Sequence, residues 1–119
     1  MNAFVRQYLE TALWAETDDD GQPLDAKYGV EDFAPEAVLK AEQDCDLFRA
    51  SNVGDLASIP DSKDATDIAH DFWLTRNGHG AGFWDGDYPE AMGERLTASA
   101  QSFGECYPYV GDDGKVYLS

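Results

Sequence analysis

Phe4, Val5, Tyr8, Leu9, Ala12 and Leu13 recur at helical spacing and share one broad arc at about 100° per residue. That pattern predicts a helix over residues 2–15, with Arg6 and Glu10 as an i,i+4 pair on the opposite side. Trp14 falls outside the apolar arc. It either packs under the following loop or stands as an exposed contact residue. The run Thr17-Asp18-Asp19-Asp20-Gly21-Gln22-Pro23 breaks the helix, and residues 24–34 read as an irregular connector anchored by Tyr28 and Phe33. Pro35 suits a first helical position and Glu36 the first turn. The helix they open should run to about Ala50, with Ala37, Val38, Ala41, Cys45 and Phe48 as its stripe.

After a loop over 51–61, Asp61 or Ser62 can cap a third helix. Its apolar positions are Ala65, Ile68, Ala69, Phe72 and Trp73, with Arg76 in the last turn and Gly78 in the left-handed position beyond it. The alternative makes Asp71–Asn77 a strand with Asn77-Gly78 as a hairpin turn; the helical period favours the helix. Phe83-Trp84-Asp85 reads as a short strand. Pro89 to Phe103 forms a fourth helix with Met92, Leu96, Ala100 and Phe103 in register, stopped by Gly104. Glu105–Val110 and Lys115–Leu118 then form a hairpin across Gly111-Asp112-Asp113-Gly114, with Pro108 marking an edge strand. The expectation is a single α+β domain over residues 1–119, about four helices packed on a small antiparallel sheet.

Composition adds a packed core and an unusual charge. Hydrophobic residues make up 43% and aromatics 13%, more than a disordered acidic tail carries. There are 24 acids against 8 bases, for a net charge of −16. Such a chain has no basic surface with which to bind nucleic acid directly or to sit on an anionic membrane. No apolar run approaches a spanning helix, and the first residues show no secretory pattern. Cys45 and Cys106 are expected as two reduced, buried thiols.

Candidate chemistry is sparse. The acids before Gly21 imitate a calcium loop, but Pro23 and Lys27 stand where its later ligands belong. Gly78-His79-Gly80-Ala81-Gly82 lacks the Gly-Lys-Ser/Thr ending of a phosphate loop. His70, His79, Asp85 and Asp87 could converge as a small metal-binding or hydrolytic module, yet no HxxxH, HExxH or CxxC spacing is present. A hydrogen-bonded boundary histidine is the better reading of His70. No catalytic residue, cofactor or metal is expected.

The distribution of carboxylates is more informative. Residues 1–69 hold 16 acids and 5 bases, and residues 70–119 hold 8 and 3. Asp64, Asp67 and Asp71 are spaced i, i+3, i+7, opposite Phe72; Glu42 and Asp46 are i,i+4, with Asp44 beside them. Neighbours at that spacing have Cβ atoms about 5–6 Å apart, comparable with the phosphate step along a nucleic-acid strand. A rigid row of this kind can offer a polyanion's field to a protein with a basic groove. Asp18, Asp19 and Asp20 are further candidates for that contact, with Trp14, His79 and Trp84 as secondary ones.

The run His70-Asp71-Phe72-Trp73-Leu74-Thr75-Arg76-Asn77-Gly78-His79-Gly80-Ala81-Gly82-Phe83-Trp84-Asp85 resembles a family of small acidic proteins of bacteriophages and other mobile elements. The stretches 8–14, 18–25 and 109–117 are similar to it as well. The resemblance implies a viral or mobile-element origin and expression in a host bacterial cytoplasm; it brings no catalytic residues. Charge and setting together point to an inhibitor of a bacterial defence system, of the anti-CRISPR or antirestriction type, whose partner is a nucleic-acid-binding protein. The alternatives are the His70/His79 module and an accessory protein that binds others through the glycine-rich loop and Trp84.

Overall fold

The computed structural model describes residues 1–119. Its helices are α1 (Ala3–Ala15), α2 (Pro35–Ser51), a single turn α3 (Val53–Leu56), α4 (Ala65–Arg76) and α5 (Glu90–Gln101). Strands β1 (Pro108–Val110) and β2 (Val116–Leu118) pair antiparallel, Tyr109 opposite Tyr117. The fold is α+β, and no helix is long and apolar enough to cross a membrane.

Local chemistry sets the boundaries. The Asn2 side chain accepts the Val5 N–H at 2.9 Å and opens α1. Pro35 occupies the first turn of α2, where its missing N–H costs nothing. Asp64, rather than Asp61 or Ser62, caps α4: it accepts the Thr66 and Asp67 N–H groups, and Asp67 reaches back to the Asp64 N–H. α4 stays helical to Arg76, so the alternative strand over Asp71–Asn77 is ruled out. Asn77 instead closes the helix; its side-chain amide donates to Trp73 O, and its Oδ1 accepts the Cys106 N–H at 2.7 Å.

One aromatic cluster joins the helices. Phe48 of α2 stacks on Phe72 of α4 with centroids 4.1 Å apart, and Tyr8 of α1 meets Trp73 edge-on at 5.1 Å. Phe83 enters the same core against Phe48 and Tyr88. The expected strand over Phe83-Trp84-Asp85 does not form. Gly82 (φ +150°) and Gly86 (φ +96°) bend the backbone on either side, and the Phe83 N–H bonds to the Thr75 hydroxyl instead of to a neighbouring strand. This loop lies so close to α5 that a Cβ at Gly93 would fall 2.7 Å from Phe83 O.

The hairpin is shorter than its sequence pattern. The exchanges between Tyr107 and Ser119 place Pro108, two residues from Val110, at positions facing away from the ladder. Pro108 therefore gives up no donor on the open edge. β2 docks the hairpin through Val116 O, which accepts the Ala34 N–H at 2.8 Å, just before α2 begins. Cys45 and Cys106 are free, buried thiols.

Candidate functional site

The bases are mostly spent inside the molecule. Arg76 is 4% exposed. Its guanidinium donates to Tyr8 Oη and Asp44 Oδ2, each at 2.9 Å, and to the carbonyls of Gly104 and Phe103. Lys40 also reaches Asp44, at 3.2 Å. Arg95 holds Asp55 with two hydrogen bonds, Lys63 pairs with Asp87 at 3.1 Å, and Lys27 lies 3.7 Å from Asp18. Arg6 and Glu10 stand 3.9 Å apart on α1. Arg49 lies over the Phe4 ring. Lys115 forms no ion pair.

The sequence-derived acids fare differently under this accounting. Asp44 is neutralised by Arg76 and Lys40. Asp64 and Asp67 are bound up in the α4 cap but still face solvent, Asp64 fully and Asp67 in part. The Thr66 hydroxyl, with backbone N–H groups, holds the Asp64 carboxyl below the ordinary carboxylate range, so its charge persists. Asp18 turns inward to the Asp20 and Gln22 N–H groups and is likewise held low. That turn leaves Asp19 and Asp20 exposed at its tip, with no base within ion-pair distance. On α2, Glu42 is half-buried and Asp46 exposed, and neither meets a base.

Asp71 departs from the proposed row. It is 6% exposed; the Tyr88 hydroxyl donates to it at 2.5 Å and Lys63 stands 4.0 Å away. Asp71 is not opposite Phe72 as expected: adjacent residues of α4 are about 100° apart, which leaves it at the border of the apolar face, and the loop bearing Tyr88 covers it. Burial raises its carboxyl above the usual range, against the pull of Tyr88 and Lys63. The fold therefore favours the neutral acid. The corresponding stability is complete below the unfolded value, about 3.9, and is lost as the pH rises through the folded one. Asp71→Asn keeps an acceptor for Tyr88 and removes the buried charge. It should be at least as stable as the wild type at neutral pH, with the advantage closing on acidification. Thermal midpoints across that pH range check this; a variant clearly less stable at neutral pH would contradict it.

The histidines do not converge. His70 Nδ1 bonds to Thr11 Oγ1 at 2.9 Å, the boundary role expected of it. His79 Nε2 lies 2.8 Å from Glu16 Oε2, which also accepts from the Trp73 indole. No group of three or more His, Cys, Asp or Glu side chains is placed to hold a metal ion. Asp87 is engaged by Lys63, and Asp85 Oδ2 is within 3.5 Å of the Gly82 N–H.

Two grooves carry the exposed tryptophans. Trp14 is 58% exposed; the following loop does not cover it, and its ring packs on His70 with centroids 5.3 Å apart. It lines a groove of about 460 Å³ with Glu10, Asp25, Tyr28 and Glu31, between α1 and the connector. Trp84 lines a second groove, of about 570 Å³, with Glu90, Glu94 and Thr97 of α5. Asp25 and Glu31 escaped sequence reasoning because an irregular connector has no periodicity to assign a face. The chain matches no protein-family model, no curated protein and no solved structure.

Proposed function

We propose that the protein is a non-enzymatic inhibitor of a bacterial defence complex, of the anti-CRISPR or antirestriction type, carried by a phage or mobile element and acting in the host cytoplasm. Its acidic surface occupies a basic groove in which the target holds DNA or RNA. The observation that supports this reading is where the positive charge goes. Six of the eight bases sit in ion pairs with acids of the same chain. Asp19, Asp20, Glu42, Asp46, Asp64 and Asp67 keep no basic partner, and they stand on helices, at a helix cap or on a closed turn. Fixed, uncancelled carboxylates act as a preorganised polyanion, and docking against a basic groove would release the target's counterions.

The competing ligand supplies the test. Labelled DNA or RNA is bound to a CRISPR effector complex and, separately, to a restriction endonuclease, and the protein is titrated in. The expected outcome is displacement from one of the two, with no cleavage of the nucleic acid by the protein itself. Binding to a target without displacement, or failure to bind either, would count against the reading.

A further inference from the structure

Both tryptophan grooves set an aromatic face beside carboxylates without a basic partner, but in the groove between α1 and the connector the indole is the more exposed, 58% against 43%, and is backed by the His70 ring. Trp14 supplies the face, one side resting on His70, whose ring is anchored to Thr11. The half-buried Tyr28 forms part of the facing wall. Asp25 and Glu31 line the same groove, and neither makes an ion pair; Arg6, its only base, is spent loosely on Glu10 at 3.9 Å. Burying a tryptophan lowers free energy, so an indole left 58% exposed beside uncancelled acids has the composition of a half-formed contact.

Charge and shape select the ligand. A metal ion would make no use of the indole, and the groove holds no metal-binding group of side chains. An anion would meet Glu10, Asp25 and Glu31. A guanidinium suits both features, since it is planar, stacks on an aromatic face and presents a fork of donors to carboxylates. An ammonium lacks the plane and is more strongly hydrated.

We propose that this groove is a socket for an arginine side chain of a protein partner, with the guanidinium laid on Trp14 and hydrogen-bonded to Asp25 and Glu31. The proposal deepens the docking reading by naming one side chain that the target contributes. It can nevertheless be tested without any target, so failure of one does not entail failure of the other. The probe is N-acetyl-arginine amide, titrated into the full-length protein while the three indole N–H resonances are followed by NMR, with the citrulline and lysine counterparts as controls. Trp73 is an internal reference, because its indole is buried and bonded to Glu16.

The expected result is a saturable shift of the Trp14 signal with arginine. Binding should be about tenfold weaker for citrulline, which keeps the shape and loses the charge, and weaker for lysine. Asp25→Asn combined with Glu31→Gln should weaken the arginine response by a similar factor while leaving the Trp73 signal in place. No saturable shift at Trp14, an equal response to citrulline, or a response centred on Trp84 would overturn the proposal.

Discussion

Arg76→Ala should lower the free energy of unfolding by about 3–5 kcal/mol, the usual cost of removing one partner from a buried, hydrogen-bonded ion pair. The size follows from what the guanidinium connects. It leaves the last turn of α4, meets Tyr8 of α1 and Asp44 of α2, and donates to the carbonyls of Phe103 and Gly104 just beyond α5. Truncation leaves the Asp44 carboxylate with Lys40 alone and strips those two carbonyls of their donor. Lysine would not substitute well, because a single ammonium cannot reproduce a fork aimed at acceptors on three sides. Removing the charge on both sides, as in Arg76→Met with Asp44→Leu, should recover much of the loss. Urea unfolding of the single and double variants checks this. A loss below about 1 kcal/mol for Arg76→Ala would mean that water replaces the guanidinium at little cost.

The helices were legible because their signals are local. A 3.6-residue period, Pro35 at a helix start and Gly78 and Gly104 in left-handed positions past helix ends can all be read without knowing what packs where. What could not be read depends on distant partners. The Phe83-Trp84-Asp85 run has the aromatic residues of a short strand, yet it is a bent loop held by Thr75 and packed on Phe48, with Phe83 buried and both Trp84 and Asp85 exposed. Arg76 reads as a dipole-matched residue in a last turn, while its actual acceptors lie as far away as Tyr8. Asp71 reads as the third member of an outward row. Its burial depends on Tyr88, 17 residues onward in a loop without periodicity. The candidate surface therefore keeps its sign but changes its members: Asp71 and Asp44 drop out, Asp18 is turned inward, and the connector acids Asp25 and Glu31 enter through the groove.

The second large effect concerns association. If exposed carboxylates steer the protein into a basic groove, neutralising a few of them should slow encounter on the order of tenfold or more at low ionic strength. Asp19, Asp20 and Asp46 are the informative positions. They are exposed and make no ion pair, so Asn at all three changes the field without disturbing a cap or the Arg76 cluster. Charge reversal at Asp71 would not be informative, since it would bury a cation beside Lys63 and report on folding instead.

The decisive measurement is the association rate constant with the CRISPR effector complex or restriction endonuclease that the protein displaces from its nucleic acid, taken across a salt series. The wild type and the Asp19→Asn, Asp20→Asn, Asp46→Asn variant are compared side by side. The expected result is a steep fall with salt for the wild type and a slower, shallower curve for the variant, the two converging once the charges are screened. A rate constant indifferent to salt, or identical curves for the two proteins, would contradict the claim that fixed surface carboxylates make the contact.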